Sequence, residues 1–402
     1  MNRNSTVFHD TVKIVVGEGE LLEALPFPDE EYEARLQAVR AKMAVSEIDV
    51  VVAFAPENIN YLTGHDTPAY QYLQACVIAQ EGMPVNLLRS IDASNTLYRS
   101  WNRAAVVYGD SDDPIEWLTA LIVTLIGKGM RVALEKDPLF VGASRYNRLC
   151  NNLSNKGLNV IEQEFVEELR LIKSPREIEK IRIAAQAASA AMKAAIDMAG
   201  SGVNENDIAA CVWSTLIKHG GEFPGLPPFI VSGQRTSLGH ATWSGRKLQK
   251  GDSLAFEFPG VVARYAGPLF RSGVVGGKSE ELKHLETATL KSLELLLGNI
   301  KPGVTCDEVH ALNVRNFAEF GYTLGHRSGY SVGINYAPDW GEGNILSIRA
   351  GEKRTIEEGM VFHLVPGIYV TGKHVVVISE TIVVTKDGCE CLTDSPRELF
   401  TV

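Results

Sequence analysis

The segment GDSLAFEFPG, residues 251–260, places one carboxylate, Glu257, in an apolar run between Phe256 and Phe258. Such a run, bounded by Gly and Pro, predicts a buried strand. A carboxylate is costly to bury there unless it is paired or used in chemistry. Glu257 is therefore either neutralised by an arginine such as Arg271, or it is a nucleophile or general base, because desolvation makes a carboxylate more basic.

The sequence around that strand predicts a pattern of two helices followed by strands, and the pattern occurs twice. The first helix has Ser174 as its cap, Pro175 at its first position and Glu177 in its first turn, and it ends at Gly200. The other three predicted helices begin at Asn204, span 279–298, and open with a capping box at Thr305. Two half-domains of similar construction, around an antiparallel sheet with a cleft between them, follow from this order.

The N-terminal part alternates helical and strand-like segments. Residues 30–44 predict a helix, residues 48–55 a strand, and PENINYLTGH (56–65) a turn. The alternation continues through WLTALIVTLIG (117–127), MRVALEKD (130–137) and LNVIEQEF (158–165). This rhythm predicts an α/β domain with a mixed sheet. Because 402 residues exceed the size of one core, we expect two domains, residues 1–168 and 169–402.

Composition and charge exclude several classes of function. The net charge is −10, without a cluster of basic residues, so nucleic acid is not an expected partner. No apolar run approaches the length of a membrane span, and residues 1–16 lack the pattern of a signal peptide. The six cysteines are scattered, which fits reduced thiols in a cytoplasmic protein. SGVVGG (272–277) has no following Lys-Ser/Thr, which argues against a nucleotide site.

Three further segments follow GDSLAFEFPG in a fixed order: GHRSGY (325–330), EEGMVFHLVPGIYV (357–370) and ISETIVVTKDG (378–388). Together with NINYLTG and RLIKSPREIEKIR, they resemble the pita-bread hydrolases of the aminopeptidase P, prolidase and creatinase family, also called M24. The resemblance covers the chain from PFPDEEYEARL onward. It implies an α+β two-domain fold, with an N-terminal α/β domain of creatinase/prolidase type, ribonuclease H-like, and a C-terminal pita-bread catalytic domain.

The family also implies an assembly. Its members form homodimers in which the N-terminal domain of one subunit approaches the cleft of the other. The residues of this chain expected to border the neighbour's site are Asn60, Tyr61, His65 and Tyr70.

In metal-dependent members of the family, two Asp, one His and two Glu hold a pair of divalent ions. The matching positions of this chain are Glu257, Pro268, His326, Val365 and Glu380. Proline and valine have no side-chain oxygen with which to bridge two ions roughly 3.5–4 Å apart. The resemblance therefore implies a hydrolase without a metal or another cofactor, although Glu257, His326 and Glu380 could still hold one ion, since three ligands and a water suffice.

Within the family, the chain is most similar to the metal-free ectoine hydrolases, which open the ring of a cyclic amidine. The similarity lies in residues 240–243, 256–276, 330–363 and 395–400. It implies a small zwitterionic nitrogen compound as the substrate. RYAGPLFRS stands where that pattern has RYHCPLSRT, and GHATW where it has PHLTW, so the exact substrate stays open.

The resemblance assigns roles to individual residues. Glu257 is the expected nucleophile or base, His240 the acid/base that moves a proton near neutral pH, and Glu380 the group that orients or protonates the leaving nitrogen. The expected substrate-binding residues are His326, His363, Arg271, Tyr336, Asp339, Trp340 and Glu342. An aromatic ring and acids in the loop NYAPDWGEG could clasp a planar cation, although such a loop is also typical of surface turns.

Three other functions remain open from the sequence. The chain could be a creatinase-type amidinohydrolase, a Xaa-Pro peptidase that retains one metal, or a catalytically inactive pita-bread protein that binds a macromolecule. Retention of acid and base groups around the expected cleft favours an enzyme, because a binding module has no need of them.

Overall fold

The structure is a computed structural model that describes residues 8–9, 12–136 and 138–402. The chain divides into two units, Met1–Arg170 and Leu171–Val402, two residues from the predicted boundary. Residues 1–7 and 10–11, which belong to the stretch predicted to lack a signal peptide, lie outside the described residues. None of the described helices has the length and apolarity needed to cross a membrane.

The first unit is a mixed sheet with helices, as the alternating sequence pattern predicts. Its strands are β1 (Phe8–His9), β2 (Val12–Lys13), β3 (Val15–Val16), β4 (Val50–Ala53), β5 (Ala75–Ala79), β6 (Val85–Arg89), β7 (Ala104–Tyr108), β8 (Arg131–Glu135) and β9 (Asn159–Gln163). Its helices are α1 (Asp29–Val45), α2 (Pro56–Thr63), α3 (Ala93–Arg99), α4 (Pro114–Leu125), α5 (Ala143–Asn155) and α6 (Phe165–Leu171). Seven strands form one sheet in the order β3-β7-β6-β5-β4-β8-β9, with parallel and antiparallel pairs.

The prediction of a turn at 56–65 is wrong, because residues Pro56–Thr63 form helix α2. Pro56 occupies the first turn, where its missing N–H is not needed. Gly64 ends the helix in the left-handed conformation, with φ of 72°. The same Pro and Gly that mark a turn in sequence therefore mark the two ends of a short helix.

The second unit repeats two helices followed by strands, as predicted. Its helices are α7 (Pro175–Met198), α8 (Glu205–Lys218), α9 (Glu280–Asn299) and α10 (Cys306–Glu319). Its strands are β10 (Phe229–Ser232), β11 (Ser253–Val262), β12 (Tyr265–Val274), β13 (Gly329–Ser331), β14 (Ser347–Ile348), β15 (Val361–Leu364), β16 (Gly367–Val370), β17 (His374–Val377), β18 (Glu380–Val384), β19 (Cys389–Cys391) and β20 (Phe400–Thr401). They form three sheets, β10-β11-β12-β20, β14-β13-β15-β18-β19 and β16-β17, antiparallel except for the β12–β20 pair.

The helix starts follow the predicted capping chemistry. At α7, the Glu177 N–H donates to Ser174 Oγ (3.2 Å) and the Ser174 N–H donates to Glu177 Oε2 (2.8 Å). Thr305 and Glu308 form the same reciprocal pair at α10. Each pair satisfies two backbone donors that a helix start leaves without partners.

Helix α7 lies directly on the hairpin of β11 and β12. A Cβ at Gly260 would lie 2.0 Å from the Ala184 carbonyl oxygen, and one at Gly267 would lie 2.4 Å from the Ala185 nitrogen. The helix therefore contacts the strands backbone to backbone, which only glycine allows. Because side chains alternate along a strand, Phe256 on this face packs into the core, while Glu257 points to the opposite face.

Gly260→Ala or Gly267→Ala should destabilise the protein by about 3 kcal/mol or more, because the new methyl group meets backbone that cannot move alone. Thermal or urea unfolding measures the change. Gly277→Ala is the matched control, since Gly277 is exposed and a Cβ there meets nothing within 4 Å. Equal stability of all three variants would contradict the close contact.

Candidate active site

A cavity of about 1200 Å³ opens in the second unit, on the face of β11 that is turned away from α7. Both half-domains contribute to its wall. Five of the predicted site residues line it: His240, Glu257, His326, Asp339 and Trp340. Further lining residues that matter for its chemistry are Phe229, Phe270, Arg327, Tyr330 and Tyr369.

Glu257 lies on the cavity floor between two aromatic rings. Its cross-strand neighbours are Phe229 on β10 and Phe270 on β12, which place apolar surface on both sides of the carboxyl group. Burial raises the pKa of Glu257 to about 8. The negative charge of Asp339 also raises it, while the positive charge of Arg327 lowers it. Among the residues that the structure describes, none donates a hydrogen bond to Glu257 or forms an ion pair with it. The folded protein therefore favours the protonated form of Glu257 at neutral pH.

Arg271 does not neutralise Glu257, because it pairs with Glu380. Their Nη2 and Oε1 atoms are 2.9 Å apart, and each side chain is only 1% exposed. Arg397 Nε lies 3.1 Å from the same carboxylate, and the Thr393 hydroxyl donates to its other oxygen. Neither Arg271 nor Glu380 lines the cavity. The predicted catalytic Glu380 and the predicted substrate ligand Arg271 thus form a buried ion pair with each other.

His240 reaches the cavity from the loop that precedes β11. Its side chain is exposed, and its φ of 61° is uncommon for a residue other than glycine. Its ring lies 5.6 Å from the ring of Phe229, the strand neighbour of Glu257. A strained backbone that presents an imidazole to a cavity is typical of functional positions.

Both ring nitrogens of His326 face backbone oxygens. Nδ1 lies 2.7 Å from the Arg327 carbonyl oxygen and Nε2 lies 3.2 Å from that of Gly367. Burial lowers the pKa of His326, while these backbone contacts oppose that shift. A neutral imidazole carries one N–H, so the ring can donate to only one of these two oxygens.

The ligand positions of a two-metal centre do not fit such a centre here. Pro268 and Val365 offer no side-chain donor, and the carboxylate of Glu380 is already bound by two arginines. Within 8–9, 12–136 and 138–402, no cluster of three or more His, Cys, Asp or Glu has the geometry to hold a metal ion. Bridging carboxylates on both sides are needed to keep two ions close together.

A buried polar chain supports one wall of the cavity. Trp340 Nε1–H donates to the Tyr330 hydroxyl, and His363 Nδ1 lies 2.8 Å from the same oxygen. His363 Nε2 lies 2.7 Å from Ser379 Oγ. With Tyr330 donating to Nδ1 and Nε2–H donating to Ser379 Oγ, both ring nitrogens of a neutral imidazole have partners. Burial agrees with this, since it lowers the pKa of His363 to about 3. His363 thus lies behind Tyr330 and does not line the cavity.

The loop at residues 335–343 divides between cavity and core. Asp339 and Trp340 line the cavity, and Asp339 Oδ1 accepts the Trp340 N–H at 2.7 Å. Glu342 is buried and pairs with Lys173 at 2.7 Å. Tyr336 is also buried, with the Arg264 guanidinium 4.6 Å from its ring centre. Two of the four predicted ligands of this loop therefore reach the cavity and two support the fold.

Sequence reasoning missed Arg327 and the aromatic neighbours of Glu257. Arg327 follows His326 in the quoted GHRSGY. The sequence does not show in which direction a charged side chain next to a motif residue points. Phe229 and Phe270 become neighbours of Glu257 only through strand register, which the sequence does not specify.

Comparison with known proteins identifies the family. Residues 179–386 match metallopeptidase family M24, and residues 35–172 match the creatinase/prolidase N-terminal domain. The chain belongs to metallopeptidase family M24. The predicted two-domain fold is confirmed by these matches and by the elements above. The chain is accordingly a hydrolase that acts on C–N bonds.

Two relatives resemble the chain in sequence, and one solved structure shares its fold. An ectoine hydrolase from Halomonas elongata is 32% identical, over 94% of this chain and 98% of that protein. A Xaa-Pro dipeptidase from Lactobacillus helveticus is 26% identical, over 88% of this chain and 95% of that protein. The crystal structure of a prolidase from Thermococcus sibiricus superposes with a TM-score of 0.82 at 22% identity, over 92% of this chain and 99% of that one.

Glu257→Gln should stabilise the protein, and by more as the pH rises. The pKa of Glu257 is raised from 4.5 to about 8 in the folded protein. Below pH 4.5, Glu257 is protonated in both the folded and the unfolded state. Between pH 4.5 and about 8 it ionises in the unfolded chain but not in the folded one, so the stability of the wild type falls as the pH rises. Glutamine cannot ionise, so its melting temperature should exceed that of the wild type by roughly 3 °C or more at about pH 9, and by little at about pH 5.

Glu380→Gln provides the contrast to this variant. It leaves the buried Arg271 without its charged partner and should destabilise the protein by about 3 kcal/mol. Stabilisation by Glu380→Gln, or a pH-independent effect of Glu257→Gln, would contradict the different environments of the two carboxyl groups.

Proposed function

We propose that this enzyme opens a small cyclic amidine of the ectoine type by hydrolysis, without a metal ion. The observation that carries the proposal is Glu257, a single carboxyl group without a partner among the described residues, at the floor of an aromatic cavity. Three of the positions that hold metal ions in metal-dependent relatives are occupied here by Pro268, Val365 and Glu380. The first two have no side-chain ligand atom, and Glu380 is already paired with Arg271. The relationship to the ectoine hydrolase of Halomonas elongata supports the choice of substrate class.

A cationic substrate would activate Glu257 on binding. An amidinium group carries a positive charge at the carbon that water must attack, so no Lewis acid is needed to make this carbon electrophilic. An opposite charge within about 4–6 Å lowers the pKa of a carboxyl group by roughly 1–3 units. Glu257 thus loses its proton in the complex and becomes a base or a nucleophile beside the amidinium carbon.

In the base-catalysed form of the reaction, the Glu257 carboxylate takes a proton from water as the water oxygen bonds to the amidinium carbon. The resulting tetrahedral carbon expels one ring nitrogen, which keeps the electrons of the broken C–N bond and takes up a proton, while the hydroxyl on that carbon loses its proton as the amide carbonyl forms. We assign both transfers to His240, which lines the cavity: it gives its proton to the nitrogen and receives the one from the hydroxyl. Glu380, predicted to protonate the leaving nitrogen, takes a structural role in this proposal, because its oxygens already accept from Arg271, Arg397 and Thr393.

Xaa-Pro dipeptidase activity is the second candidate. A cavity of about 1200 Å³ is large for a single small ring and would also admit a dipeptide. The relative from Lactobacillus helveticus carries that name. An amide carbon lacks the positive charge of an amidinium and requires stronger activation, so a peptidase would need a metal ion, and the residues that the structure describes offer no cluster of ligands for one. A creatinase-type substrate, with its cationic guanidinium, needs no such metal and remains an alternative for the same cavity.

The cellular setting is part of the proposal. We propose a cytoplasmic homodimer, on the family resemblance, in which the residues around Tyr61 and His65 border the cavity of the partner. Size-exclusion chromatography with light scattering measures the assembly.

Purified enzyme treated with a chelator should hydrolyse ectoine or hydroxyectoine as fast as untreated enzyme. Mass spectrometry of the products detects the addition of one water to the ring. Creatine and a Xaa-Pro dipeptide, assayed in the same way, are the comparison compounds. Turnover of the dipeptide alone, lost with chelator and restored by a divalent metal, would contradict the proposed function and favour the peptidase.

The pH dependence of turnover should show the activation of Glu257 by the substrate. We expect kcat/KM, which reports the free enzyme, to rise with pH through an apparent pKa of about 8. The corresponding limb of kcat, which reports the complex, should lie roughly 1–3 units lower. Glu257→Gln should remove the limb and lower kcat by about 10²-fold or more. Activity that falls above pH 8 would instead make Glu257 an acid.

A further inference from the structure

Arg327 is the cation of the cavity that neither the family motifs nor the proposed chemistry uses. It lines the same cavity as Glu257, from the segment that precedes β13. It is close enough to Glu257 to oppose the rise of that group's pKa. Among the described residues, however, no ion pair joins the two side chains. The guanidinium of Arg327 and the carboxyl group of Glu257 thus face a common space without forming an ion pair.

The guanidinium of Arg327 is held on one side and open on the other. Nη1 donates to Ser347 Oγ at 3.2 Å, and the Ser347 hydroxyl in turn donates to the Gly343 carbonyl oxygen at 2.6 Å. The guanidinium carbon lies 4.1 Å from the ring centre of Tyr330. Tyr330 is itself fixed by Trp340 and His363. One face and one edge of the guanidinium are therefore positioned by a rigid, buried support.

The remaining N–H groups of Arg327 face the cavity. Guanidinium carries five donors, and one is used by Ser347. No nitrogen of Arg327 is both buried and without a partner, so the other donors reach the open space. A planar guanidinium with its free edge exposed matches a carboxylate through two parallel hydrogen bonds.

Gly343 provides the room for this arrangement. A Cβ at residue 343 would lie 2.0 Å from Arg327 Nη1 and 2.8 Å from its guanidinium carbon. The atoms it meets are the far end of a long side chain, which can move without disturbing the backbone. A methyl group at this position would displace the guanidinium and leave the fold intact.

We propose that Arg327 binds the carboxylate of the substrate, so that the enzyme selects zwitterions whose carboxylate lies on Arg327 while their cationic C–N group lies at Glu257. The inference rests on the proposed function and adds a specificity-determining residue to it. It explains why Glu257 and Arg327 form no ion pair among the described residues: Arg327 is left to meet the carboxylate of the ligand, and Glu257 is left to meet its cationic end. Compounds with the same ring but no carboxylate should be poor ligands.

The test compares ectoine with its carboxamide, which keeps the amidine and loses the negative charge. Titration calorimetry should show wild-type enzyme binding ectoine about 10²-fold more tightly than the carboxamide. In Arg327→Gln the two compounds should bind within roughly 3-fold of each other. Because both compounds meet the same Glu257 at one pH, any change in the ionisation of Glu257 cancels in this ratio.

Gly343→Ala should reproduce the lost discrimination with a melting temperature close to that of the wild type. Arg349→Gln is the matched control, since it removes a positive charge from the exposed rim of the same cavity without touching the proposed subsite. Its ratio should stay within roughly 3-fold of the wild-type ratio.

Discrimination that persists in Arg327→Gln would overturn the inference alone, and so would its loss to the same degree in Arg349→Gln. Wild-type enzyme that hydrolyses ectoine yet binds the carboxamide equally well would also overturn it and leave the proposed function standing. Wild-type enzyme that neither binds nor hydrolyses ectoine would contradict both.

Discussion

The contact between helix α7 and the hairpin of β11 and β12 fixes the geometry of the second unit. Two glycines, Gly260 and Gly267, let the backbone of the helix approach the backbone of the strands at Ala184 and Ala185. Because the helix contacts the hairpin so closely, the opposite face of the hairpin has a fixed position, and Glu257 lies on that face. Precise placement of a reacting group can contribute several orders of magnitude in rate, so the position of this helix matters to the chemistry.

Two kinds of ionisable side chain matter in the second unit: those in buried ion pairs and those that line the cavity. Deep in the fold, Arg271 pairs with Glu380 and Lys173 with Glu342, and each of these four side chains is only 1% exposed. In the cavity, Glu257 and Arg327 stay apart. Desolvation without a partner lowers stability, whereas pairing limits that penalty. In the proposed complex, the ligand supplies the oppositely charged partner that Glu257 and Arg327 each lack in the fold.

The sequence predicts the helices and the fold well, and the roles of individual polar residues less well. Capping residues such as Ser174 and Thr305 act locally, so their meaning can be read from a few neighbours. Whether Glu380 is available to a substrate depends on its ion pair with Arg271, which is more than a hundred residues away in the sequence. Strand register brings the two side chains together. Glu342 and Asp339 lie three residues apart in one loop, yet only Asp339 faces the cavity. Motif position therefore predicts which residues belong to the site region, while pairing across the fold decides which of them stay available.

The loss of the metal ligands and the retention of Glu257 are connected by electrostatics. In a two-metal enzyme, the ions supply positive charge that ionises water and polarises the bond to be cleaved. A substrate that carries its own positive charge at the reacting carbon performs the second task and also ionises Glu257, which can then perform the first. Phe229 and Phe270 place apolar surface beside the carboxyl group, and charges interact more strongly where the surroundings are less polar than water. In the proposed mechanism, Glu257 is a protonated acid in the empty cavity at neutral pH, and a cationic ligand converts it into a base without a change of pH.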